Sequence, residues 1–360
     1  MVVQNLASCP MLELSRLEAQ AEEALDPTNF AYVSMAAGDS ARQNLVGWQE
    51  TRLRPQMLRD VGRVSTATTV LGQSSKTPVM VAPTAMHRLA CELGEVATAQ
   101  AAADAGAVYV VSAQATTSIE EIASAAPTGT RWMQAYMMRD RGITRAMAER
   151  AAASGCSALV LTVDSPGIPH TVAWTDRPIN RSLPLPNLFP DVDNPDVLEI
   201  ATNYATDLTF DDLAGIRSWT GLPLVVKGVL RGDDAVRCLD SGADAISVSN
   251  HGGRLAPDCI PTSLALAEVA DAVGDRAEVY VDGGIRSGPD VLKALSLGAR
   301  AVMVGRPIWW ALSIGGRTAA FELLDTLTRD LERAMALCGV ADVGCVPSDL
   351  TTMVGPPRRP

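Results

Sequence analysis

Aromatic side chains make up only 4% of the 360 residues, and histidine occurs just three times, at His87, His170 and His251. Proton chemistry near neutral pH most often uses imidazole, so an enzyme built on this chain has few positions for it. Lysine is equally scarce, with three in all. No stretch reaches the roughly 20 apolar residues that span a bilayer, and MVVQNLASCPMLELSRLEAQ lacks the basic start and apolar core of a signal peptide. The expectation is a cytoplasmic protein with no membrane partner. The seven cysteines are scattered, odd in number and without a CxxC pair, which reads as reduced thiols with neither a disulfide framework nor a metal site. A concentrated basic surface is missing too. With 30 Lys+Arg against 41 Asp+Glu and a net charge of -11, a nucleic-acid partner is not expected.

What the chain does have is core material, at 47% hydrophobic residues. Its length permits two domains or one large barrel. Eight short apolar runs recur: 78–82, 107–113, 132–136, 158–164, 223–227, 245–249, 278–282 and 301–305. Their continuous apolar character suits parallel strands buried on both faces. Four share a helix-ending glycine just before the strand, in DAGAVYVV, ASGCSALVL, DSGADAISV and SLGARAVMV, where glycine supplies a left-handed cap. No GxGxxG follows the first strand, which argues against an open dinucleotide-binding sheet and for a closed α/β barrel, (β/α)8. Residues 1–60 read as an N-terminal helical segment, 61–345 as the barrel and 346–360 as a C-terminal tail ending in a mobile GPPRRP. A helix is expected over 318–337. Strands four and five are separated by a long loop, 165–222, rich in Pro and Asp; active sites of such barrels lie at the C-terminal strand ends, which makes this loop a candidate lid.

The strand ends carry polar groups or tight turns: APTA, SAQAT, QAY, TVDSP, KG, SNHGGR, DGGIRSG and GRP. The last two place backbone amides at helix starts beside Arg286 and Arg306, the usual phosphate position in these barrels; Ser287 with Asp290 forms a capping box. Flavin mononucleotide, pyridoxal phosphate or a sugar phosphate would each suit this pattern. In SNHGGR, His251 stands just past a strand end, two glycines let a ligand approach its ring, and Arg254 adds a cation. Asp164 ends another strand and is suited to orient His251 and stabilise its imidazolium. Lys227 follows LPLVV, and a buried cation needs an anionic or electron-rich partner. His87 and His170 are expected to be exposed or to stand behind the reacting groups.

SNHGGR together with VDGGIRSGPDVLKALSLGARAVMVGRP, PVMVAPTAMHRLA, QAY, TVD and LVVKG closely resembles the FMN-dependent 2-hydroxy-acid oxidases and dehydrogenases, over about residues 12 to 345. The resemblance implies FMN in the barrel mouth. Pro83, Thr84 and Ala85 would lie beside flavin N5, Ser112, Gln134 and Thr162 on its polar edge, and Lys227, assisted by Ser249, would stabilise the reduced ring. Asp282 would meet the ribityl chain, and Gly283, Gly284, Arg286, Gly305 and Arg306 would surround the phosphate end. By the same resemblance, His251 takes a proton from the substrate alcohol while hydride passes to N5, a carbanion route being the alternative. Asp164 holds the imidazole, Arg254 binds a carboxylate, Tyr136 contacts the substrate oxygen, and Tyr32 matches the family's N-terminal substrate tyrosine. It further implies a homotetramer, a small-molecule substrate, and reoxidation by an electron acceptor, molecular oxygen being preferred over another.

The chain departs from the pattern after TVD. Members usually follow it with a proline and an arginine pair, one of which clamps the substrate carboxylate; here no arginine occurs between Asp164 and Arg177, and His170 and Thr171 stand where those cations are expected. A cation–carboxylate contact is worth roughly 1.5 to 3 kcal/mol, so either His170 or Arg177 replaces it or the substrate is not a simple free 2-hydroxy acid. Gln114 replaces a position that is often aromatic, widening or polarising the pocket, and CELGE replaces HPEGE. A specialised oxidase with a larger or modified substrate is favoured, with an ordinary 2-hydroxy-acid oxidase close behind. Two alternatives are a non-redox FMN-binding barrel or flavin-dependent isomerase, and a phosphate-binding barrel without flavin.

Overall fold

Each of the eight apolar runs forms a strand in the computed structural model, which describes residues 10–166, 183–193, 195, 200 and 202–353. The chain opens with three helices, α1 (Pro10–Ala24), α2 (Pro27–Ser34) and α3 (Ser40–Glu50). A short strand β1 (Thr51–Leu53) and a hairpin, β2 (Thr68–Val70) and β3 (Gln73–Ser75), follow. The barrel strands are β4 (Val79–Val81), β5 (Tyr109–Val111), β6 (Arg131–Ala135), β7 (Leu159–Thr162), β8 (Leu224–Val229), β9 (Ala245–Val248), β10 (Glu278–Val281) and β11 (Ala301–Val304). All neighbours pair in parallel, and β11 returns to β4 to close the barrel. The glycines of the four shared motifs, Gly106, Gly155, Gly242 and Gly298, all have positive φ, as their cap position requires.

The interior of the barrel is filled by large side chains, among them Met80, Val110, Trp132, Val160, Val225, Tyr280 and Met303. Trp132 and Tyr280 meet edge to face at 5.3 Å. From the hairpin, Val70 joins the same cluster, and Leu71 N donates to Glu278 Oε2, so one mouth of the barrel is stoppered. Ligand access is left to the C-terminal strand ends. A second, larger cluster packs the outer helices on the barrel wall.

Two boundaries differ from expectation. The last helix begins earlier, spanning Arg306–Cys338 with non-helical backbone at Gly315 and Gly316. Pro at the first turn suits a helix start, so the GRP turn itself becomes the helix N-terminus. Residues 346–353, set apart as tail, contain a strand β12 (Thr351–Met353) that pairs antiparallel with β1, so the C-terminal end of the described chain is held to the strand that follows α3. GPPRRP lies outside the described residues, as does most of the first half of the 165–222 loop, including His170. The described remainder of that loop is anchored: Leu185 and Leu188 are buried, and Asn187 accepts from Ile119 N at 2.8 Å and donates to Thr117 O. Among the described residues, no helix is long and apolar enough to cross a membrane.

Candidate active site

The C-terminal ends of the strands surround an empty space of about 1200 Å³, counted out to its open mouth. Its floor is a buried polar set. Lys227, at the end of the apolar run of β8, donates to Ser249 Oγ at 2.8 Å and faces Asp282 Oδ2 at 2.9 Å; Ser249 donates to Asp282 Oδ1. Burial alone would lower the Lys227 pKa, but the carboxylates of Asp282 and Asp164 overcome it and hold the ammonium above its ordinary value. Beside this set, Gln134 donates to Thr162 Oγ1 at 3.0 Å and accepts from Ala113 N.

On the next level stands His251. Its Nδ1 is 2.9 Å from Asp164 Oδ1, and its Nε2 is 3.5 Å from the Tyr136 hydroxyl. Burial acts to raise the Asp164 pKa, yet His251 and, farther off, Lys227 pull it below the usual carboxylate value. Tyr136 is pushed up by burial and then by Asp164, so its hydroxyl keeps its proton. The imidazole projects from an unusual backbone: His251, Gly252 and Gly253 have φ of 58°, 67° and 74°. For a residue with a Cβ this left-handed region costs about 1–2 kcal/mol. Glycine at the next two positions avoids that penalty, and His251 alone bears it.

Cations gather at the upper rim. Arg254, Arg286 and Arg306 all line the cleft, and each has its pKa lowered, first by burial; Arg306, pressed also by the other two guanidiniums, falls to about 9. Arg254 donates to the main-chain carbonyls of Val33 and Tyr32, and Arg306 to those of Met35 and Gly252. The carbonyls at the C-terminal end of α2, which carry the negative end of the helix dipole, are thereby bound to the barrel mouth. This brings Tyr32 into the site beneath Arg254, 5.2 Å from its ring.

Of the residues singled out from the sequence, Tyr32, Pro83, Thr84, Ala85, Ser112, Gln114, Tyr136, Lys227, His251, Arg254, Asp282, Gly283, Gly284, Arg286, Gly305 and Arg306 share this one cleft. Asp164, Gln134, Thr162 and Ser249 stand directly behind it, bonded to residues of the set. Ser287 caps its helix through Asp290 N, as expected. His87 is not exposed: it is fully buried, with Nε2 2.6 Å from Thr84 Oγ1 and Nδ1 2.8 Å from Thr98 Oγ1. Burial lowers its pKa, leaving a neutral ring that fixes Thr84. The second glutamate of CELGE is structural: Glu95 accepts from His87 N, Thr116 and Thr117.

Several residues escaped the sequence reading. Tyr204 lines the cleft, stacks on Tyr136 at 4.4 Å and accepts from Gln114 Nε2 at 2.6 Å. The buried Asn44 and Asn250 bond to each other. Gly228, with φ 112°, lies so close to Asp164 that a Cβ would fall 2.7 Å from that residue's own Cβ. Only Asn250 and Gly228 carried a sequence signal, as immediate neighbours of His251 and Lys227.

The donor set fits FMN. Clustered guanidiniums beside glycine turns suit a phosphate dianion, and Lys227 with the amide and hydroxyl groups of the floor suits the polar edge of a flavin. Comparison with known proteins agrees. Residues 21–352 match the FMN-dependent dehydrogenase family. An L-lactate oxidase from Nostoc sp. is 41% identical over 350 residues, covering 92% of this chain and 95% of that protein. The 2-hydroxyacid oxidase 2 of Homo sapiens is 38% identical over 333 residues, covering 92% and 95%. The crystal structure of a mandelate oxidase with (S)-4-hydroxymandelic acid superposes with a TM-score of 0.85 at 35% identity, over 94% of this chain and 98% of that one. The chain belongs to the FMN-dependent dehydrogenase family, as an oxidoreductase that acts on CH–OH with FMN as its cofactor.

Proposed function

We propose that this enzyme oxidises a 2-hydroxy acid with a bulky or polar side chain, or a neutral derivative of such an acid, to the 2-oxo product. The observation that carries the reading is the His251–Asp164 contact of 2.9 Å at the mouth of the cleft, with Tyr136 on the other ring nitrogen. Asp164 accepts from Nδ1–H, which leaves Nε2 bearing the lone pair. That atom takes the proton of the substrate hydroxyl, and the carboxylate stabilises the imidazolium that results. Tyr136, kept protonated, donates to the substrate oxygen. Arg254 offers its remaining donors to the carboxylate or carbonyl at C1. FMN, held by Lys227, Arg286 and Arg306, would supply the two-electron acceptor for the hydride leaving C2, with molecular oxygen as the proposed final oxidant.

Two features support the specialised substrate. No arginine lies between Asp164 and Arg177, and the Gln114–Tyr204 pair gives the side-chain end of the cleft a polar wall. A mandelate oxidase with one arginine replaced by leucine, whose structure was solved with the neutral 2-hydroxy-phenylacetamide, superposes with a TM-score of 0.82 at 36% identity. Anaerobic mixing of the holoenzyme with alkyl and aryl 2-hydroxy acids, their esters and amides tests the reading by loss of flavin absorbance, followed by admission of air and assay of hydrogen peroxide. Faster bleaching with aryl acids or neutral derivatives than with lactate or glycolate is expected. Failure of every hydroxy compound to bleach the flavin would sink the proposal, and fastest reduction by glycolate would remove the specialised substrate.

A further inference from the structure

The left-handed turn that carries His251 is held at every residue. His251 N donates to Ser249 Oγ at 3.0 Å, Gly252 O accepts from Arg306 at 2.9 Å, Gly253 N donates to Asn250 Oδ1 at 3.0 Å, and Gly253 O accepts from Ala37 N at 2.8 Å. Strained backbone of this kind persists only where its surroundings over-determine it. Of these holders, Asn250 is itself held from α3. Asn44 Nδ2 donates to Asn250 Oδ1 and Asn250 Nδ2 donates to Asn44 Oδ1, both at 2.8 Å. The amide orientations are set by third partners: Asn250 Nδ2 also reaches Ile260 O at 3.2 Å, and Asn44 Oδ1 accepts from Thr262 N at 3.2 Å. Both side chains are buried, where an unmet amide is costly and a satisfied pair permits a single arrangement.

Asn44 also abuts the phosphate end. A Cβ on Gly283 would lie 2.9 Å from its Nδ2, and one on Gly284 2.5 Å from its main-chain carbonyl oxygen. The amide therefore sits where the strand-end turns of β9 and β10 meet. We propose that Asn44 is a positioning residue for His251. Through Asn250 it holds the turn in the one conformation that places the ring against Asp164, and it does so from a helix that precedes the barrel. The inference rests on reading His251 as the base.

The test compares Asn44→Ala, Asn250→Ala, the double variant and His251→Ala as holoenzymes, by FMN content, by anaerobic single-turnover flavin reduction and by crystal structure. For Asn44→Ala, FMN content is expected to stay at wild-type level with KM little changed. The reduction rate should fall by about tenfold to a hundredfold, the scale of a misplaced reacting group, with the His251–Asp164 contact lengthened in the crystal. The double variant should be no slower than Asn250→Ala alone, because both substitutions act on the same turn. Asn44→Ser, whose hydroxyl is too short to reach Asn250, serves if the alanine variant does not fold. Wild-type reduction by Asn44→Ala or Asn44→Ser, multiplicative losses in the double variant, or an unmoved His251 with loss explained by missing FMN would each overturn the inference. If His251→Ala reduces flavin at the wild-type rate, the reading of the base fails instead.

Discussion

Gly228→Ala isolates what the Asp164–His251 contact contributes. Gly228 sits at the irregularity in β8 where pairing with β9 skips from Lys227 to Val229, with φ 112°. A Cβ there would stand 2.7 Å from Asp164 Cβ and 2.9 Å from its Cγ and N, whereas ordinary contact begins at 3.4 Å. Either the strand or Asp164 must give way by about 0.7 Å. If Asp164 yields outward, its 2.9 Å contact with His251 opens to about 3.6 Å, which is no longer a hydrogen bond. A charge-assisted bond is worth about 1.5–3 kcal/mol, and each 1.36 kcal/mol is tenfold in rate, so flavin reduction should slow by about ten- to a hundredfold. The backbone strain adds a stability loss of about 1–3 kcal/mol. Gly221→Ala separates the two effects, because Gly221 has φ 71° with nothing within 4 Å of its would-be Cβ. Stopped-flow reduction under anaerobic conditions and thermal unfolding of both holoenzymes make the comparison. Equal rate losses in the two variants, or an unslowed Gly228→Ala, would refute the reasoning.

Two further perturbations act on buried charge and on pH. Lys227→Met strands the Asp282 carboxylate that now faces the ammonium at 2.9 Å; a stability loss of about 3–5 kcal/mol with weaker FMN retention is expected in denaturant titration and flavin release, and an unchanged unfolding midpoint would count against the buried pair. His87 has its folded pKa lowered by burial, so below its unfolded value of about 6.5 the unfolded chain binds the extra proton and stability falls as pH falls, by up to about 1.4 kcal/mol per pH unit. His87→Gln should flatten unfolding free energy over the interval just below pH 6.5, and an identical slope in the variant would remove His87 as its source.

The architecture was legible because parallel barrel strands are buried on both faces and so read as unbroken apolar runs. Strand-end chemistry was legible for a related reason: polar groups such as Lys227, Asp164 and His251 follow those runs directly, where packing gives them no purpose. Contacts made across the fold left no comparable trace. Asn44 lies 206 positions from its partner Asn250, and nothing in LVGWQE or RQN announces an amide pair. Tyr204 meets Gln114 from the far end of the long loop, 90 positions away, and periodicity does not report such a meeting. His87 was underrated because a histidine after the first strand looks like any surface residue until Thr84, Thr98 and Glu95 are seen around it. The two arginines expected to serve ligands alone also grip α2, a role visible only once the carbonyls of Tyr32 and Val33 are placed.

The docking of α2 and α3 onto the barrel mouth has a kinetic meaning. Arg306 reaches back 273 positions to Val33, and Arg254 221 positions to the same carbonyl. Contacts of such separation form late, after the loop-closure entropy of the intervening chain has been overcome. Closure of the barrel by Val302 and Val79 spans a like separation, so locally formed strands and helices do not suffice to lock the strained turn at His251, and catalytic competence is expected to return only with these long-range contacts. By the same logic a local opening of residues 10–50 is expected to silence the enzyme while the barrel stays folded.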